Sequence, residues 1–290
     1  MKIDSPNYPS CLKKIRYPPP QLFFKGNPDV LKESRFLAVV GTRNASIYGK
    51  KVIRDLLPEI AKRKIVIISG LARGIDILAH QIALENHCPT IAVLAGGLGE
   101  IYPPEHRKFA EEIIQQQGLV ISEFPSQTPH LRQYFFTRNR IISGLSDAIL
   151  IIEAGKKSGA LITANFDFEQ EKKVFTVPGN IFTPQNAGTN LLLKKGAEAV
   201  LSGEDILDFY FPGRRRSNLK TAKDNIPMES VSLSKEERIV YELVSLDIPT
   251  PLSKIIRESG LPSATVISII SQLEIRSLVE NVGGGSYVRG

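Results

Sequence analysis

The residues with the clearest chemical potential lie in "YFFTRNRIISG", residues 134–144. Tyr134, Phe135 and Phe136 stand directly before Arg138, Asn139 and Arg140, and the apolar run "DAILIIEA" follows. Rings beside guanidinium groups can be ordinary packing with an ion-paired rim. They can also stack planar bases and clamp phosphates. Other stretches share a potential for anions. "GTRNASIYG" carries Gly41, Thr42 and Arg43, "SGLARGID" carries Gly70, and "EAGKKSGALIT" carries Lys156, Lys157, Ser158, Gly159 and Thr163. Glycine lets a ligand approach the backbone closely, and the free N–H groups of a helix N-terminus attract negative charge.

The elements that must position these residues follow from the hydrophobic pattern. From residue 36, short runs such as "FLAVVG", "IVIISG", "TIAVLAGG", "GLVISEFP", "AILIIEAG" and "VFTVPG" alternate with helix-length stretches such as "YGKKVIRDLLPEIAKR" and "GIDILAHQIALENH". Strands that read as continuous apolar runs are buried on both faces, so the pattern predicts an α/β, doubly wound, mostly parallel sheet covered by helices. Ligands of such sheets sit in the crevice beyond the carboxyl ends of the strands. Five of the six runs lead into a glycine-rich loop, which predicts an anion-binding crevice along that edge. "YFFTRNR" is placed at its aromatic rim.

The proline-rich opening, residues 1–35, cannot form a long helix and is expected to wrap the sheet domain of residues 36–212 as an extended arm. Residues 213–232 are polar, basic and rich in breakers, a linker. Residues 233–290 read as three helices and a glycine-containing hairpin, the outline of a small C-terminal winged helix-turn-helix domain. The formal charge of +7 is unevenly spread: +5 up to Pro212, +3 from Gly213 to Glu229, and −1 beyond. The positive excess thus sits on the sheet domain and linker, which points to an anionic partner there. Two distant cysteines form no metal or redox motif, no apolar run is long enough to span a membrane, and no signal-peptide core opens the chain. A soluble, cytoplasmic protein is expected.

Enzyme motifs fit poorly. "GTRNASIYG" lacks the spacing of a dinucleotide fingerprint, and Asn44 and Lys51 break a phosphate-binding P-loop. Asp76 with His80, and Glu105 with His106, read as capping or structural hydrogen-bonding pairs. A phosphoribohydrolase-like nucleotide enzyme would carry P-G-G-x-G-T-x-x-E. Here Ala95 replaces the proline, and Glu100 follows Gly99 directly, three positions from the catalytic carboxylate. A winged-helix regulator of duplex DNA is the other alternative. Its recognition helix, within "SATVISIISQLEIRSLV", offers only serines, Gln272 and Arg276 to base edges.

Taken together, "GTRNASIYG", "SGLARGIDILAH", "TIAVLAGGLGEIYPPEH", "FFTRNRIISGLSDAILIIEA", "KKSGALITA", "FTVPGNI" and "GTNLLLKKGA" closely resemble, in order, the motifs of the DNA-processing protein A (Smf) family. The resemblance runs from about Tyr8 to Leu207, with a weaker one in the tail. It implies an extended Rossmann-like fold, a homodimer, no cofactor and no catalytic activity. It also implies binding of single-stranded DNA taken up in natural transformation, its protection, and help in loading the RecA recombinase. Carried over, Arg43 with the backbone of Gly41 and Thr42 would hold phosphate. Arg138, Asn139 and Arg140 would continue the track with Lys156, Lys157, Ser158, Gly159, Thr163 and Gly70, and Phe136, or in its place Phe135 or Tyr134, would stack on a base. Four to six phosphate contacts per protomer are expected.

Overall fold

The computed structural model describes residues 1–213, 233–245, 248–276 and 278–289. All of the expected linker except Gly213 lies outside them. The chain divides into two compact units, Met1–Arg215 and Arg216–Gly290.

The first unit opens with a short helix, α1 (Ser10–Lys13), and an edge strand, β1 (Phe23–Gly26). Strands and helices then alternate: β2 (Phe36–Val40), α2 (Ile47–Lys62), β3 (Val66–Ser69), α3 (Ile75–Glu85), β4 (Thr90–Val93), α4 (Arg107–Gln115) and β5 (Leu119–Ser122). Next come α5 (Arg132–Leu145), β6 (Ala148–Ile151), α6 (Gly159–Glu169), β7 (Lys173–Thr176), α7 (Ala187–Lys194), β8 (Glu198–Ala199) and α8 (Gly203–Tyr210). They build one eight-stranded sheet in the order β1-β5-β4-β3-β2-β6-β7-β8. Every neighbouring pair is parallel except β1 with β5. The sheet is the mostly parallel, Rossmann-like arrangement that the apolar runs predict.

Alternation along the central strands divides the core. Leu37 and Val39 of β2 join Ala148 and Leu150 of β6 in the layer under α2, α3 and α8. Ala38, Val40, Ile149 and Ile151 point the other way, against α5 and α6. These strand residues are fully or almost fully buried, which explains why the sequence shows no polar face. The chain runs outward from β2 through β3 and β4 to β5, then returns to pair β6 on the other side of β2. The strand order therefore reverses at β2 and β6, where their following loops separate and leave a crevice.

The arm does more than wrap. Tyr8, Leu12, Ile15 and Leu22 are buried in the layer that holds Ile141, Ile142 and Leu145 of α5. The Tyr8 hydroxyl donates to Pro19 O at 2.6 Å, which closes the proline-rich loop on itself.

"YFFTRNR", expected at the rim of the strand-end crevice, lies within a helix, α5, that the pattern does not predict. Its start carries none of the usual signals. Leu131 occupies the N-cap without a side-chain hydrogen bond, and no acidic residue lies in the first turn. Tertiary packing of Ile141, Ile142 and Leu145 holds it instead.

The second unit contains α9 (Lys235–Leu243), β9 (Thr250–Pro251), α10 (Leu252–Ser259), α11 (Ser263–Ile275), β10 (Val279–Asn281) and β11 (Ser286–Arg289). The three strands form an antiparallel sheet, β10-β11-β9, beside the three helices, a winged-helix arrangement. Val240, Ile255, Val266, Ile270 and Leu273 make its core. Ser234 and Glu237 cap α9 reciprocally, each satisfying the other's backbone N–H.

Candidate nucleic-acid interface

The loops after β2 and β6, with α5 and the start of α6, enclose an open crevice of about 730 Å³. Arg43, Lys157 and Arg132 reach it, and all three are exposed. Among the described residues no carboxylate lies within ion-pairing distance of them. Their charge is available to an anion. Phe136 lines the same crevice and is 41% exposed.

The loop after β2 is held from below. Thr42 N donates to Glu153 O at 2.7 Å, and Ile75 N donates to Thr42 O at 3.2 Å. Glu153 is fully buried and accepts from Ser46 N and Ser46 Oγ at 2.9 and 2.6 Å, anchoring the entrance to α2. Arg43 therefore projects from a fixed turn, with its guanidinium carbon 4.9 Å from the Phe135 ring centroid. Phe135 meets Tyr102 edge to face, centroids 5.8 Å apart, and Tyr102 stacks on His130 at 5.5 Å.

On the opposite side, α6 begins at Gly159. Ser158 caps it by accepting from Ala160 N at 3.3 Å, and no acidic side chain occupies its first turn. A methyl group placed on Gly159 would meet nothing within 4 Å, so its backbone faces open space. With Lys157 alongside, this is a helix N-terminus prepared for a phosphate. Thr163, one turn on, lines the crevice but is buried.

Most other glycines serve the protein's own packing, a correction to the idea of five anion cradles. A methyl group on Gly41 would fall 2.5 Å from the Ile75 side chain, and one on Gly97 would fall 2.2 Å from backbone carbonyls of Pro125 and Ser126. Gly97 N and Gly99 N donate to Thr128 O and Ser126 O, closing the loop after β4 against the loop after β5. Gly74 has φ +79°, and its α-carbon rests on Thr42 O, which lets α3 start directly beneath Arg43.

The "RNR" residues need the largest revision. Arg138 is 4% exposed, and its Nη1 donates to Gly70 O at 2.8 Å and to Val93 O. Its Nε donates to Asn139 Oδ1 at 3.1 Å, and Asn139 Nδ2 donates to Gly159 O at 3.3 Å. Arg138 and Asn139 thus tie the ends of β3 and β4 to α5 and to the first turn of α6. They hold the crevice together from behind. Burial pushes the Arg138 guanidinium down to about 10, so it stays charged at neutral pH. Burial also raises the neighbouring Asp76 carboxyl, which Arg138 counteracts.

Arg140 leaves the crevice altogether and pairs with Glu123, both side chains largely covered. Lys156 is exposed outside the crevice lining, and Gly70 lies under the Arg138 guanidinium. The crevice brings together Gly41, Thr42, Arg43, Phe136, Lys157, Ser158 and Gly159, with Arg138, Asn139 and Thr163 as buried parts of its lining. Arg132, Tyr102 and His130 were missed. Arg132 is a full helical turn before Phe136, a spacing that becomes informative only once α5 is known to be a helix.

The acid–base pairs are structural. Asp76 accepts from Gly70 N at 3.2 Å, and Glu105 bonds Arg73 Nε at 2.6 Å. Thr90 Oγ1 donates to Ile67 O, so its hydroxyl accepts from His80 Nδ1 at 2.8 Å. His80 is buried, which pushes its imidazole down to about 3 and keeps it neutral. His106 Nδ1 donates to Leu71 O at 2.8 Å.

In the second unit, Arg276 pairs with Glu237 at 3.2 Å. Arg289 lies over Tyr241 and donates to Val244 O at 2.5 Å and Glu242 O at 2.9 Å. The outward surface of α11 presents Ile267 and Ile275 beside Ser268, Ser271, Gln272 and Glu274, with no cation among them. A duplex-reading helix would offer its cations to the groove. Here Arg276, at the C-cap of α11, is engaged by Glu237 instead.

Residues 1–211 match the family model "DNA recombination-mediator protein A", and residues 226–285 match the "DprA winged helix domain". The chain is 42% identical over 206 residues to the DNA processing protein DprA of Bacillus subtilis, covering 71% of this chain and 69% of that one. It is 37% identical to the protein Smf of Escherichia coli over 294 residues, 99% of this chain and 76% of the other. Its structure is similar to that of DNA processing protein A from Streptococcus pneumoniae, with TM-score 0.68, 38% identity, and 71% and 72% of the two chains covered. It is also similar to DNA processing protein A from Helicobacter pylori, solved to describe that protein's single-stranded DNA binding mode, with TM-score 0.65, 32% identity, and 70% and 92% covered. With a family model spanning its whole sheet domain and relatives of this identity, the chain belongs to the DNA recombination-mediator protein A (DprA/Smf) family.

Proposed function

We propose that this protein binds single-stranded DNA in the crevice at β2 and β6, without catalysing a reaction on it. One observation carries the reading: an exposed ring, Phe136, shares the crevice with the exposed cations Arg43, Arg132 and Lys157 and with the open N-terminus of α6. A ring offers every base a π-face, while cations and helix dipoles take phosphates. A duplex hides its base faces and gains nothing from Phe136. The H. pylori relative's single-stranded DNA binding supports the same choice. Asp76, His80, Glu105 and His106 are each committed to structural hydrogen bonds, which supports a non-catalytic role.

Within the family's recombination-mediator role, the bound strand is DNA taken up in natural transformation. The protein protects it and helps load the RecA recombinase on it, in the cytoplasm. It acts as a homodimer, and Ile181 and Phe182, 76% and 87% exposed side by side after β7, are apolar surface suited to self-association.

Fluorescence anisotropy of a labelled single strand and its duplex, at physiological salt and with free nucleotides as competitors, tests the central claim. Strong preference for the single strand, insensitive to nucleotides, is expected. Competition by a mononucleotide without strand preference would replace it with a small-ligand site.

A further inference from the structure

The crevice has a second aromatic feature that the binding reading does not use. Tyr102 is 44% exposed at its wall, and its ring is held by a continuous ladder. One side of the ladder is His130, stacked at 5.5 Å with 30° between planes. His130 Nε2 donates to Glu100 O at 2.7 Å, and the ring packs on Gly96, where a methyl group would fall 2.4 Å from Nδ1. The other side is Phe135, edge to face at 5.8 Å, which in turn carries Arg43. The glycine loop after β4 is thereby explained as the seat of His130.

A tyrosine that is merely a surface residue needs no such support. Fixing its ring in advance removes the entropy cost of ordering it when a planar ligand arrives. The ligand must be planar to use the ring, and anionic to use Arg43 at the foot of the same ladder. A nucleotide unit meets both conditions. Phe136 provides one stacking surface in this crevice, and Tyr102 provides another.

We propose that Tyr102, backed by His130, is a second nucleobase-stacking platform, so that the crevice grips at least two bases of one strand. Arg43 takes a phosphate beside the Tyr102 base. The inference rests on the single-strand reading above and deepens it.

The chain contains no tryptophan, so Tyr102→Trp and Phe136→Trp each create a single reporter. Each variant is titrated with an oligothymidylate, following its emission together with the anisotropy of a labelled oligomer. Quenching of both reporters at saturation is expected. In parallel, Tyr102→Ala should weaken binding about tenfold, Tyr102→Phe should bind like the parent, and His130→Ala should lose less than Tyr102→Ala. Unchanged emission of Tyr102→Trp with normal oligomer binding, while Phe136→Trp is quenched, overturns the second platform and leaves the single-strand reading standing. Parent-like affinity of Tyr102→Ala overturns it equally, whether or not the tryptophan variant folds. Failure of the parent protein to bind the oligomer removes both.

Discussion

The Arg138 guanidinium lies against the α-carbon of Gly70, so closely that a methyl group there would fall 2.4 Å from both Nη1 and Nη2. Gly70 is small because Arg138 must pass over it to reach the carbonyls of Gly70 and Val93. Arg138→Ala leaves those carbonyls and Asp76 without their buried cation. It should lower stability by about 3 kcal/mol, read by urea unfolding. Gly70→Ala should be destabilising too, because a guanidinium wedged between fixed strand ends has nowhere to move. An Arg138→Ala variant with parent stability but lost DNA binding would return that side chain to the ligand surface.

Arg43 should behave in the opposite way. It is exposed, and its known contact is the Phe135 face. Arg43→Ala should leave the melting temperature within about 1–2 °C of the parent, since surface substitutions cost little. It should weaken single-strand binding about tenfold and reduce the magnitude of the log–log salt slope by about 0.7.

The parent slope itself is a measure of the corrected site. Removing Arg138 and Arg140 from the phosphate track leaves Arg43, Arg132 and Lys157, with Lys156 nearby. A slope of roughly −2 to −3 per protomer is expected, below what four to six contacts would give. A steeper dependence, measured by anisotropy across a salt series, would mean that basic residues outside the crevice also hold the strand.

Phe136→Ala should cost about 1–3 kcal/mol of binding, as expected for one stacked base. Circular dichroism of the free variant should match the parent, because the ring is already 41% exposed and little core packing is lost. A destabilised variant with parent affinity would assign Phe136 to the core.

A pH effect is expected at the far end of α6. Asp167 is buried, and burial raises its carboxyl from 3.8 to about 7 despite Lys172 nearby. Lys172 spends its ammonium on the carbonyls of Ser143 and Ser146, at 2.5 and 2.7 Å. Between those two pH values the folded protein keeps a proton that the unfolded chain releases. The contribution is complete at low pH and is lost as pH rises through about 7. Asp167→Asn removes it, so the variant's melting temperature should gain on the parent's between pH 5 and pH 8. A constant difference across that range would mean the carboxyl titrates normally.

What the sequence disclosed follows a physical line. Buried parallel strands write themselves as apolar runs because both faces are covered, so β2 to β7 were readable, while the strand order and its reversal at β2 and β6 were not. Arg43 and Lys157 were readable because exposed cations in strand-end loops have few structural uses. Arg138 was misread because a buried arginine and a phosphate-binding arginine look alike in one dimension. Only the third dimension shows that Gly70 and Val93, far apart in sequence, supply its acceptors. His130 was invisible for the same reason, since its partners Glu100, Gly96 and Tyr102 lie some thirty residues upstream.

The two margins of the large sheet also limit what a foreign strand can add to. One margin is β1, which the arm lays antiparallel on β5, with Lys25 reaching back to Leu98 O. The other is β8, only two residues long. A four-residue strand and a two-residue stub are short templates for a foreign strand, which guards the protein against runaway edge-to-edge polymerisation. A strand added at either margin would find few backbone groups to pair with.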